Sequence, residues 1–113
     1  MPPDIKTQFI ENFLSEMRLA IADGRFTFSA DRPDQKNRDT LYLLGYEPEQ
    51  AVQEFRDLCR PNHDAGPLSE ENNPVDQLWI FKKTILGYPI YFKILRIITA
   101  NWFIGISFHV DEI

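Results

Sequence analysis

Residues 78–110 read LWIFKKTILGYPIYFKILRIITANWFIGISFHV, and this stretch decides the fold. Three runs rich in β-branched and aromatic residues, 78–85, 88–98 and 102–110, are separated by a turn around Leu86-Gly87 and another over 99–101. The pattern predicts three consecutive antiparallel strands, a meander. Side chains alternate across a strand, so each run divides into two rows. In the middle run Ile90, Phe92 and Ile94 form one row, and Tyr91, Lys93 and Leu95 form the other. Alternation in the last run puts Ile104, Ile106 and Phe108 with the core row, and Ser107 and His109 on the other side. In the first run Trp79, Phe81 and Lys83 share a side opposite Ile80 and Lys82, and both sides carry apolar residues.

The residues before the meander read as helices and one short strand. Ile10, Phe13, Leu14, Met17 and Ile21 recur at three- and four-residue steps, which predicts a helix over 5–22 that stops at Asp23-Gly24. RFTFS, 25–29, alternates as a strand. A short helix ending at Gly45 follows a polar stretch, and Glu47-Pro48 opens another, with Pro at a first-turn position it tolerates. Residues 60–76, RPNHDAGPLSEENNPVD, are rich in Pro, Asn, Gly and acids and read as a loop. The order α-β-α-α-loop-β-β-β predicts one α+β domain over 1–113: a small antiparallel sheet, the C-terminal meander plus an N-terminal strand, with helices on one face.

The totals narrow the function. The 113 residues carry 12 basic and 17 acidic side chains, a formal net charge of −5, which opposes bulk attraction to nucleic acid. Hydrophobic residues make up 43% of the chain, enough for a real core. The single cysteine, Cys59, excludes an internal disulfide and reads as a small buried group at a helix end. Two histidines and one cysteine at scattered positions offer no metal-ligand spacing, so neither metal nor other cofactor is expected. MPPDIKTQF lacks the features of a signal peptide, and no apolar run approaches the roughly 20 residues that span a bilayer. A cytoplasmic protein without membrane contact is the expectation.

The predicted sheet leaves one face uncovered, and alternation collects Lys83, Tyr91, Lys93, Ser107 and His109 there. Two ammonium groups, a phenol, a hydroxyl and an imidazole suit an anionic substrate. Lysines stabilise charge building on a phosphate, and an imidazole moves protons near neutral pH. RNA can be cut in this way when its own 2′-OH attacks the neighbouring phosphate. The same pattern is also what an ordinary solvated sheet face shows. His63 reads as a plain loop histidine.

Gly66-Pro67, LWIFKK at 78–83, GYPIYFKI at 87–94 and ISFH at 106–109 resemble the MqsR family of type II toxin–antitoxin toxins, in the branch whose last strand ends in ISFH. The resemblance extends weakly through the upstream helices, and its specificity sits in the last 48 residues or so. Lys82 stands where the branch has glycine, and His63 lies near the place of a tyrosine. The resemblance implies a RelE-like fold and a metal-independent mRNA endoribonuclease, an mRNA interferase silenced by a cognate antitoxin.

Tyr91 falls on the family's strand tyrosine, Lys93 on the lysine two residues later, Lys83 on the lysine of the first strand, and His109 where better-known members carry a lysine. His109 is then expected as general acid or base, with Tyr91 orienting the phosphate or relaying a proton. Lys83 and Lys93 would offset transition-state charge. Lys82, Trp79, Ser107 and Arg96 are expected to contact RNA. The implied partners are single-stranded mRNA and the antitoxin, in a homodimer or a toxin–antitoxin hetero-oligomer. The alternatives are a non-catalytic protein-binding module or a decayed toxin. A nucleotide- or tRNA-modifying enzyme would use the same face, but no glycine-rich phosphate loop supports it.

Overall fold

A computed structural model describes residues 4–112. Helix α1 spans Ile5–Asp23, strand β1 Phe26–Phe28, α2 Lys36–Leu44 and α3 Pro48–Arg56. A single 3-10 turn, Arg60–Asn62, leads into β2, His63–Ser69, followed by β3, Gln77–Ile85, β4, Tyr88–Ile97, and β5, Trp102–Val110. Local chemistry sets the ends of α1. Asp4 accepts the Thr7 N–H at 2.7 Å, and that bond holds its carboxyl below the ordinary range. Gly24 closes the other end at φ 87°, a conformation costly for any residue with a Cβ.

The strands form one five-stranded mixed sheet in the order β1-β5-β4-β3-β2. The α+β class and the meander are as expected, with two corrections. First, β1 pairs parallel to β5, through Phe26↔Phe103 and Phe28↔Gly105, so the sheet is not purely antiparallel. Second, the segment expected to be a loop contains β2. Its Pro and Gly content disfavours a strand, but the exposed edge of β3 supplies ladder partners, and two register shifts absorb the misfit.

The helices pack on the face of Ile90, Phe92 and Ile94, all fully buried. Phe13 of α1 stacks on Trp79 with 4.1 Å between ring centroids. Phe55 of α3 lies 5.1 Å from Phe92 and 5.3 Å from Phe26. The last strand departs from strict alternation. Ile94 pairs with Gly105 and Lys93 with Ser107, so Ile106 is an extra residue, a β-bulge. The core row of β5 is therefore Phe103, Gly105 and Phe108, and Ile104 moves to the opposite face, against expectation.

A buried amide holds the bulge. Asn37, fully buried on α2, donates from Nδ2 to the carbonyls of Ser29 (2.7 Å) and Ile106 (2.9 Å). Its Oδ1 accepts the Phe108 N–H at 3.0 Å. Thr40 Oγ1 takes the Val110 N–H. Beyond the end of β1, side chains of α2 thus replace a neighbouring strand. Asn37→Ala is expected to destabilise the fold by about 1–3 kcal/mol for each buried group left unpaired. Urea denaturation measures it.

On the helix side, Lys83 Nζ donates to Glu54 Oε1 at 2.8 Å, and the Tyr46 hydroxyl donates to Glu54 Oε2 at 2.7 Å. The bond to Glu54, then burial, push the Tyr46 phenol up to about 12. The folded chain keeps this proton above pH 10, where an unfolded tyrosine loses it, so this group's contribution to stability falls between pH 10 and about 12. Phenolate absorbance is expected to show a tyrosine ionising at about pH 12, returned towards pH 10 by Glu54→Gln. Cys59 is exposed rather than buried, with Sγ 3.2 Å from Asn62 Oδ1. No helix among the described residues is long and apolar enough to cross a membrane.

Candidate functional site

The open face of the sheet carries two polar rows formed by cross-strand neighbours. His109, Tyr91 and Lys82 are consecutive partners on β5, β4 and β3. Ser107, Lys93 and Ile80 form the next row. The imidazole of His109 stacks on the Tyr91 ring at 5.3 Å, with planes 24° apart. His109 Nδ1 lies 3.0 Å from the Val110 carbonyl oxygen. A carbonyl only accepts, so the bond requires hydrogen on Nδ1 and leaves the Nε2 lone pair of the neutral ring available as a base. Burial raises the Tyr91 phenol, and Lys82 pulls it back in part. At neutral pH this phenol is a donor.

Lys82 reaches Asp111 at 3.2 Å and Asp64 at 3.9 Å, and the Asp111 contact raises its ammonium above the ordinary value. The uncovered face therefore contains carboxylates that strand alternation did not place there. Arg32, from the segment between β1 and α2, adds a guanidinium. Its Nη1 donates to Ser107 Oγ at 2.8 Å and to the Ile106 carbonyl at 3.3 Å, while Nη2 pairs with Asp34 at 3.3 Å. Asp34 is itself held below the ordinary carboxylate range, first by the Lys36 N–H and then by Arg32. The cluster thus sets Arg32, Lys82 and Lys93 beside a histidine, against Asp34, Asp64 and Asp111. Among the described residues no His, Cys, Asp and Glu side chains group as metal ligands.

Tyr91, Lys93 and His109 come together as alternation predicts, and Lys82, which alternation sets on the side opposite Lys83, takes the place expected for Lys83. Three expected placements do not hold. Lys83 lies on the helix side, in the row of Trp79 and Phe81, because Phe13 draws that row into the core; its ammonium is bound to Glu54. Trp79 is 3% exposed under Phe13 and offers no stacking surface on the open face. Arg96 follows Phe92 and Ile94 in alternation and sits over the Phe103 ring at 5.3 Å, again on the helix side. Ser107 is on the expected side but buried, and its hydroxyl is occupied by Arg32. His63 belongs to β2 and meets Trp79 and Phe81 edge-on.

Below the polar rows the open face turns aliphatic. Leu68, Leu78, Leu95 and Ile104 are successive cross-strand partners on four strands. Trp102 joins them, its indole N–H donating to Thr27 Oγ1 at 3.1 Å.

Compared with known proteins, the chain matches no family model, no curated protein and no solved structure.

Proposed function

We propose that the chain is a toxin of the MqsR type, a metal-independent endoribonuclease acting on single-stranded mRNA. The observation that carries this reading is the row His109–Tyr91–Lys82, with Lys93 and Arg32 alongside, on a face open to a polynucleotide. His109 Nε2 takes the proton of the attacking 2′-OH. Tyr91, kept protonated, donates towards the phosphate or the leaving oxygen. Lys82, Lys93 and Arg32 offset the charge that gathers on the phosphoryl oxygens. The phosphate competes with Asp111 for Lys82, which keeps the site specific rather than generally attractive to polyanions. The product is a 2′,3′-cyclic phosphate.

The aliphatic row favours a second role for the same face. Leu68, Leu78, Leu95 and Ile104 suit a protein partner better than stacked bases, which prefer aromatic platforms. An antitoxin covering this row would seal the adjacent polar rows, and a binding module without catalysis would use the same surface.

The test is to induce the protein in a bacterium and map new RNA 5′ ends. Site-specific cuts are expected. Lys82→Ala lowers cutting about 10²-fold or more, as loss of a transition-state donor does. Lys83→Ala, on the far side of the sheet, leaves the cut pattern unchanged. Intact RNA with a folded protein overturns the nuclease reading.

A further inference from the structure

Two of the residues that leave the open face, Trp79 and Arg96, meet on the other side. With Gln77 and Pro67 they form one wall of a cleft of about 710 Å³, faced by Phe9, Asn12, Phe13, Ser15 and Glu16 of α1. That volume lies within the range of small-molecule sites. The sheet wall offers donors. Gln77 and Arg96 are direct cross-strand partners. The Gln77 Oε1 is engaged by the Trp79 indole N–H at 3.2 Å, which fixes the amide and leaves its NH₂ to donate. The Arg96 guanidinium rests on the Phe103 ring, and none of the ion pairs among the described residues uses it.

The helix wall has the opposite character. Asn12 and Glu16 lie one turn apart on α1, so they share a face and supply acceptor oxygens. The apolar surface open to a ligand is Phe9, 60% exposed at the rim, with Pro67 at one side; the Phe13–Trp79 stack lies buried beneath and closes the bottom of the cleft. A ligand matching this cleft has a flat ring, N–H donors on the ring edge and an anionic group at one end. A bare anion would leave the exposed Phe9 ring and Pro67 unused and meet Glu16, and a hydrocarbon would strand the polar groups.

We propose that this cleft binds a nucleoside monophosphate unit, with its phosphate on Arg96 and Gln77 and its base edge towards Asn12 and Glu16. The site is separate from the open face, on the opposite side of the sheet, and does not depend on the nuclease reading. Its source is either a free nucleotide or the phosphorylated end of an RNA, which share this chemistry.

The two tryptophan indole N–H resonances provide the test. Trp79 bonds Gln77 in the cleft, and Trp102 bonds Thr27 on the open face. Titration with the four common nucleoside 5′-monophosphates is expected to move the Trp79 resonance saturably and leave Trp102 in place. Adenosine without phosphate binds at least tenfold more weakly than its monophosphate. Arg96→Gln, checked for an unchanged unfolding midpoint, weakens binding at least tenfold, whereas His109→Ala leaves it unaltered. A 5′-phosphorylated dinucleotide that binds more tightly than the monophosphate assigns the source to RNA ends; a weaker one assigns it to free nucleotides. The proposal is overturned if no monophosphate shifts Trp79, if Arg96→Gln titrates as wild type, or if phenylacetate binds as tightly as the nucleotides.

Discussion

Replacing His109 with alanine is expected to slow RNA cleavage by about 10²–10⁴-fold, the usual contribution of a positioned general base. The ring stands at the end of β5 with one face on Tyr91, and its Nδ1 is tied to Val110. Lys82 and Tyr91 cannot take the proton in its place, since both are raised and stay protonated at neutral pH, and the neighbouring carboxylates Asp34 and Asp111 are paired with Arg32 and Lys82. His109 is only partly buried, so the substitution should leave the fold intact, checked by circular dichroism and by urea midpoint. The rate is read on a single-stranded oligonucleotide, and growth arrest in cells should disappear with it. Tyr91→Phe keeps the stacked ring and removes only the hydroxyl. It should lower the rate and remove the part of any alkaline loss of activity that comes from ionisation of the phenol, which burial moves above the ordinary tyrosine value. Full activity in both variants would dissociate this face from the chemistry.

Phe55→Ala is expected to remove about 3–5 kcal/mol of stability, the range for deleting a fully enclosed aromatic ring. Small domains have only about 5–15 kcal/mol in total, so this one side chain accounts for much of the margin. Phe55 is 0% exposed and lies within 6.1 Å, ring to ring, of Phe26, Phe28, Phe92 and Phe108. It therefore joins α3 to the first, fourth and fifth strands at once. Gly105 is the complementary part: a Cβ there would come 2.8 Å from the Phe55 Cζ, so the ring can sit on β5 only because that position has no side chain. Guanidinium denaturation should show a large drop in midpoint for Phe55→Ala. Gly105→Val should destabilise from the opposite cause, overcrowding.

The helices and the meander were legible because their apolar residues repeat with the period of the element. α1 was expected over 5–22 and spans Ile5–Asp23. β2 was hidden because HDAGPLS has a loop's composition; it is a strand only through the partners that β3 supplies. The site was legible where one row of a strand is plainly apolar, as in β4. It failed in β3, where Ile80 and Phe81, on opposite sides, are both buried and two adjacent lysines cannot both face the same way. There the packing of Phe13 on Trp79 decides the side, and a distant helix leaves no mark on local alternation. Arg32 was invisible for the same reason, reaching Ser107 across 75 positions of sequence.

The extra residue at Ile106 gives the end of the chain two rival ways of lying down. In strict alternation, Ile104, Ile106 and Phe108 would form an unbroken greasy edge, a pairing as attractive locally as the one adopted. Choosing between them falls to Asn37, whose amide matches the backbone only when one residue is set aside. A neutral side chain nearly seventy positions upstream thus acts as the tie-breaker between competing alignments, and selection on it would preserve a geometry in which it takes no chemical part.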